Sequence, residues 1–150
     1  EDRVPAPVVT SSACLVFNAA LIHHLQAIQT NSPNDISKAI QRYHAATKLY
    51  RQCIQLLENF QFLSTSEACY NQWLMYKIAV VNNLGLCYAE LGMHQQSQRC
   101  FQELERILIF VLFGRVSVPG DDTEANLIAR AKQFLPNAQS GASESTGTDK

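Results

Sequence analysis

The sequence has no surplus of either charge: 12 Lys and Arg stand against 13 Asp and Glu in 150 residues, a formal net charge of -1. A general attraction to nucleic acid or anionic lipid is therefore missing, and a polyanion-binding role is disfavoured. Paired cysteine motifs are missing too. Cys14, Cys53, Cys69, Cys87 and Cys100 are odd in number, widely spaced and never arranged as C-x-x-C. That pattern argues against a disulfide framework or a zinc ribbon and points to a reducing compartment, the cytoplasm first, with the nucleus also open. No two of the 4 histidines have the i, i+4 spacing of a helical metal site, and the adjacent His23 and His24 point about 100° apart on a helix. There is no glycine-rich phosphate loop, no G-x-S-x-G and no G-x-G-x-x-G. No metal, cofactor or catalytic group is expected. Long apolar runs are absent as well: the longest, "ILIFVLF" from Ile107 to Phe113, falls far short of the roughly 20 residues that span a bilayer. With no basic-then-apolar opening segment, the chain reads as soluble and not membrane-bound. It begins with Glu1, as expected of a fragment or a processed product.

What is present is enough apolar material for one core. At 47% hydrophobic residues and 150 positions, a single globular unit is expected. Residues 1–11, with two closely spaced prolines and no helical period, read as an extended lead-in. Residues 136–150, small, polar and rich in Gly and Ser, read as a disordered tail. Residues 12–135 between them read as an all-α domain.

Helix one is expected from about Ser12 to Gln29, with Leu15, Ala19, Ile22, Leu25 and Ile28 as its inward stripe. Ser32, Pro33 and Asp35 supply the cap, first-turn proline and acidic residue that open a second helix. Its stripe runs through Ile36, Ala39, Ile40, Tyr43, Ala46, Tyr50, Cys53, Ile54, Leu57 and Phe60. Ser64 and Glu67 form a capping box for a third helix carrying Tyr70, Trp73, Leu74, Ile78, Val81, Leu84, Tyr88 and Leu91, and Gly92 ends it. Helix four, His94 to Phe113, turns Phe101, Leu104, Leu108 and Val111 inward. Its last two turns are apolar nearly all round, flanked by Arg106 and Arg115, so Ile107–Phe113 is either covered or a homodimer surface. Asp121 and Glu124 suggest a capped fifth helix that reaches Leu135 and ends at Pro136.

Short connections make two long antiparallel helix pairs plus a shorter last helix. In the second pair, Val81, Leu84, the small Gly85, Tyr88, Gly92 at the turn, Ser97, Phe101 and Leu104 have a spacing that resembles the tetratricopeptide repeat. The first pair matches in part: Val16, Ala19, Ala20 and His23, then Ala39, Tyr43 and Ala46. It departs in having His23 where an aromatic is usual. The Ala20-to-Gly85 separation is also longer than the repeat of roughly 34 residues, and no clear third repeat follows. The resemblance implies that Gly85 permits a close crossing, with Tyr88 and Phe101 filling the space between the paired helices.

It further implies that the first helix of each pair lines a concave groove, with an asparagine two positions before the small residue bonding a peptide backbone. Asn83 stands so relative to Gly85, and Asn18 relative to Ala20. Phe17, Leu21, His24, Asn82, Leu86 and Glu90 would be their groove neighbours. An amide both donates and accepts, which suits it to an extended peptide. The same amides can instead cap helices or bridge structural waters. Phe17 and Leu21 occupy positions where some members of the family carry basic residues that clamp a terminal carboxylate, so an apolar or neutral peptide is the expected ligand.

The remaining polar and aromatic features read as structure. Cys87 and Cys100 read as small buried hydrophobes, Glu103 and Glu105 as solvated surface, and Lys38, Arg42, Lys48 and Arg51 as a solvated helix face. Trp73 at stripe spacing reads as core. The sequence thus points to a non-enzymatic protein- or peptide-binding scaffold. Replacing Asn18 and Asn83 together by alanine is expected to weaken partner capture with little loss of melting temperature. A self-associating bundle, or part of a larger repeat array, is the alternative, and a small helical enzyme or metal carrier a remote third.

Overall fold

A computed structural model describes residues 6–30, 35–61, 67–113, 129 and 132–137. Four long helices carry the fold: α1 (Ala6–Ile28), α2 (Ile36–Gln61), α3 (Glu67–Glu90) and α4 (His94–Phe113). No strand occurs among the described residues, and the protein is all-α. Each helix packs chiefly on its neighbours in sequence, α1 on α2, α2 on α3 and α3 on α4, while α1 and α3 touch more lightly. Ser32, Pro33, Ser64, Arg115, the Phe60 and Phe113 side chains, most of 121–135 and all beyond 137 lie outside the described residues.

α1 starts at Ala6, so the extended lead-in read over 1–11 does not hold for its last six residues. Pro7 is compatible with this because the first turn of a helix has no intrahelical acceptors for its N–H groups. A second correction concerns which face of α1 turns inward. The large stripe is outside: Leu15 is 70% exposed and Ile22 56%, with Leu25 and Ile28 also exposed. The buried side is Ala13, Ala20, His24 and Ala27. The reason lies in α2, whose inward side chains are bulky: Tyr43, Tyr50 and Leu57 are buried beside Ala46 and Cys53. Aromatic rings on one helix need small residues opposite them if the axes are to approach, and the seven-residue recurrence of alanine supplies that stripe. Ile36 and Ile40, at the start of α2, are likewise exposed and not part of its inward stripe.

α3 is the middle helix and buries two sides. Trp73, Leu74, Ile78, Val80, Val81, Leu84 and Cys87 are all buried, and the Trp73 indole donates to the Leu57 carbonyl of α2 at 2.7 Å. Its end is closed by a Schellman pair: Met93 N donates to Tyr88 O at 2.8 Å and Gly92 N to Ala89 O at 2.9 Å. Gly92 takes φ 69°, the left-handed conformation that this closure requires. α4 then runs back along α3, burying Ser97, Phe101, Leu104, Ile107, Leu108 and Val111. Much of the "ILIFVLF" run is therefore core, because its period carries Ile107, Leu108 and Val111 onto α3. Only Ile109 and Phe110 of its described side chains stay exposed.

The C-terminal segment also departs from expectation. Residue 132 is helical, 133 and 134 form a turn, and 135–137 are helical, so Pro136 lies within a short helical stretch instead of ending one. Phe134 and Leu135 are half-buried against the core. The tail read over 136–150 thus loses at least Pro136 and Asn137, because two apolar side chains ahead of them give the segment something to bury.

Candidate functional site

The pivot is Gly85. A Cβ built on it would lie 2.9 Å from Phe101 Cε1, 3.0 Å from Phe101 Cζ and 3.2 Å from Cys100 Cβ. Such distances are below ordinary van der Waals contact, so α3 and α4 cross where only hydrogen fits. The Ser97 hydroxyl donates to the Gly85 carbonyl at 2.9 Å, locking the crossing. Gly85, Ser97 and Phe101 are thus brought together, and Tyr88 is half-buried nearby in chain. In the first pair, Ala20 and Ala46 are fully buried, Tyr43 is buried and Ala39 half-buried.

With Gly85 on α4, the side of α3 that carries Asn83 turns toward α1 and α2. Asn83 Nδ2 donates to Tyr50 Oη at 3.2 Å. Tyr50 Oη in turn lies 3.4 Å from His24 Nδ1. The phenol can give its own proton to His24 Nδ1 or accept a second hydrogen bond from it, according to the imidazole tautomer. Burial lowers the His24 pKa and so disfavours the charged ring, a shift that the negative charge of Glu90 only partly opposes. On the other side, Asn82 Nδ2 donates to Asn83 Oδ1 at 3.1 Å, and Asn137 Nδ2 donates to Asn82 Oδ1 at 2.6 Å. The result is one chain, directed from Asn137 to Asn82 to Asn83 to Tyr50 and continued by the Tyr50–His24 contact, running from the C-terminal segment through α3 and α2 to α1. Every amide in it gives to the next acceptor, an order in which each bond polarises its neighbour.

The two asparagines matched by the sequence are therefore not equivalent. Asn18 is exposed and makes no side-chain hydrogen bond among the described residues. Asn83 is half-buried and committed to Tyr50 and Asn82. The expectation that the double alanine variant would leave stability nearly unchanged is at odds with the contacts of Asn83, whose removal takes one hydrogen-bond partner each from the Tyr50 hydroxyl and the Asn82 amide. Asn82 and His24, taken from sequence as groove neighbours, are each only 5% exposed, so both are buried among the helices. Phe17 is half-buried, its ring 5.9 Å from Tyr50 and 6.1 Å from Tyr76. Leu21 and Leu86 are half-buried, and Glu90 is exposed at the end of α3. Cys14 Sγ and Tyr76 Oη are hydrogen-bonded, which ties α1 to α3 directly and raises the Tyr76 pKa.

Sequence reasoning did not find Tyr50, Asn137 or the Cys14–Tyr76 contact as parts of this face. Their partners are 33, 55 and 62 residues away, and no local spacing signals such contacts. It also missed a cleft of about 350 Å³ between α2, α3 and α4, lined by Arg51, Ile54, Leu84, Tyr88, Arg99 and Cys100 among others. Among the described residues no three His, Cys, Asp or Glu side chains gather as a metal site. Burial pushes the thiols of Cys53 and Cys100 up to about 11 and that of Cys87 to about 12, so these sulfurs are protonated at neutral pH and poor nucleophiles. By length and composition, the stretch Ser11–Ile28 of α1 is apolar enough to cross a membrane, a property that a search for unbroken apolar runs overlooks. One side of that stretch packs on α2.

The fold and site define a class: an all-α protein of two successive antiparallel helix pairs joined by a buried polar chain. Comparison with protein-family models, curated protein sequences and solved structures returned no significant match.

Proposed function

We propose that this chain is a non-enzymatic scaffold module, similar to tetratricopeptide repeats, that binds a neutral protein or peptide segment across the faces of α1 and α3. The Gly85–Phe101 crossing carries the reading. It sets the rotation of α3, and that rotation turns Asn83 toward α2 while Leu86, Glu90 and the exposed Asn18 of α1 remain accessible at the surface. Open amide and half-buried apolar side chains side by side suit an extended backbone with apolar side chains. The four described cysteines are all unpaired, which supports a reducing, cytoplasmic setting.

The test is selection of peptides from a displayed random library on the full chain, followed by amide chemical-shift mapping. Enriched peptides should shift Asn18, Leu21 and Leu86, and Asn18→Ala with Leu21→Ser should weaken them about tenfold, or about 1.4 kcal/mol. Selected peptides that bind these variants as well as the parent would remove the assignment.

A second reading rests on a separate observation. α1 exposes Leu15, Ile22, Leu25 and Ile28, and α2 adds Ile36 and Ile40. Exposed aliphatic side chains at this density mark an association surface. On this reading a second copy covers the outer face of α1, in preference to the Ile107–Phe113 run, of whose described side chains only Ile109 and Phe110 are exposed. Light scattering over a wide concentration range distinguishes them: Leu25→Lys should abolish a dimer that Phe110→Lys leaves intact.

A further inference from the structure

Resting on the scaffold reading, we infer that the chain carries its own groove ligand. Residues 134–137, Phe-Leu-Pro-Asn, occupy the Asn82 end of the α3 face in cis, and the partner is a neutral segment of the same chemistry. Three observations converge on this segment. Asn82 is buried, yet its Oδ1 receives its hydrogen bond from outside the four long helices, from Asn137 at 2.6 Å. A buried amide oxygen needs a donor, and among the described residues Asn137 supplies it. Phe134 and Leu135, two residues and one residue before Pro136, pack against the helical core, so both side chains and amide dock together. Finally, the segment from Gln133 to Asn137 has no charge, and the face it joins is neutral through Asn82, Asn83 and Leu86.

The arrangement has the form of a peptide complex. An apolar pair fills the surface, Pro136 restricts the backbone and lowers the entropy lost on docking, and an asparagine reads the buried amide. Tethering makes the internal segment a strong competitor, because covalent attachment can hold a segment at an effective concentration of the order of millimolar. A partner peptide must displace it, and its apparent affinity falls by the fraction of molecules in which the face is free. Asn137 links occupancy to the interior, since its amide starts the chain of bonds that ends at His24.

The test uses the full-length chain and a fluorescent synthetic peptide of residues 132–137. Two variants release the internal segment: Phe134→Ser with Leu135→Ser, and Asn137→Asp alone, which replaces a donor by a carboxylate facing the Asn82 oxygen. Helical content and melting are recorded for each, and the single-site variant serves if the double variant does not fold. The peptide should bind either variant at least tenfold more tightly than the wild type, and a peptide with alanine for its asparagine should bind about tenfold more weakly. Equal binding to wild type and variants, no binding to any, or indifference to the peptide's asparagine overturns the inference. The scaffold reading fails separately. If library-selected peptides map to α1 and α3 while residues 132–137 bind nothing, the scaffold stands and the internal ligand falls; if neither binds, both fall.

Discussion

Replacing Asn83 by alanine tests whether the polar chain is one unit or a set of unrelated contacts. Asn83 gives a hydrogen bond to Tyr50 Oη at 3.2 Å and takes one from Asn82 at 3.1 Å. Tyr50 is fully buried and Asn82 nearly so, so neither recovers its lost partner from bulk water at little cost. Each net hydrogen bond contributes about 1 kcal/mol, and a stranded buried group costs about 1–3 kcal/mol. Tyr50 keeps His24 as a partner and Asn82 keeps Asn137, which places the total nearer the lower end. We expect Asn83→Ala to cost about 2 kcal/mol, or about 4–8 °C in melting temperature for a chain of this size. Tyr50→Phe should cost about 1–2 kcal/mol for the same reason. The double variant removes donor and acceptor together and should fall short of the sum by about 1 kcal/mol. Urea denaturation with a constant slope measures all three. Additivity within about 0.3 kcal/mol would show that the two side chains act independently and would refute the chain.

Two further outcomes follow from the packing and the buried titratable groups. Gly85→Ala gains about 0.5–1 kcal/mol of helix propensity but forces a methyl to 2.9 Å from a buried ring and 3.2 Å from the Cys100 Cβ. Overpacking costs about 1–3 kcal/mol, so a net loss of about 1 kcal/mol is expected by urea melt, and a variant as stable as its parent would move Gly85 away from the crossing. For pH, His24 has its folded pKa lowered by burial from 6.5, so the unfolded chain binds more protons in acid. Stability is then complete above about pH 6.5 and falls as pH drops below it, a slope that His24→Leu should flatten. Cys53, Cys87 and Cys100 are raised from 9.0 to about 11, 12 and 11, so the folded chain holds protons that the unfolded chain releases. Stability should fall as pH rises past 9, by denaturation midpoint against pH.

The helices were legible because their signals are local. Period, caps and the Gly92 stop act within a few residues, and α4 came out with the limits expected, His94 to Phe113. The Gly85 crossing was legible for a different reason: a small residue inside an amphipathic helix has few explanations besides close approach. The face of α1 was not legible. Two stripes of that helix satisfy the helical period, one of large aliphatics and one of alanines, and hydrophobicity alone selects the larger. The choice is made by Tyr43 and Tyr50 on α2, whose volume has to be met by something small. Periodicity says that a face is buried, and the partner's side-chain size decides which.

The adjacency of Asn82 and Asn83 bears on what the face can recognise. Consecutive residues on a helix point about 100° apart, so one asparagine at this level could serve either α2 or the C-terminal segment, but not both. Two in succession, bonded to each other at 3.1 Å, pass a hydrogen bond sideways around the helix and serve both. Two asparagines, which helices disfavour, stand inside α3 because each side chain has a partner beyond the helix, Asn137 for Asn82 and the Tyr50 hydroxyl for Asn83, and each is the other's second partner. An occupant offering an amide donor to Asn82 keeps every link to His24 satisfied, whereas one offering a carboxylate or nothing leaves a buried oxygen facing it unpaired. On the proposed scaffold reading, selectivity for a neutral donor-bearing segment would follow from how α2 is held to α3, and the residues that would recognise a partner are the same ones that stabilise the fold.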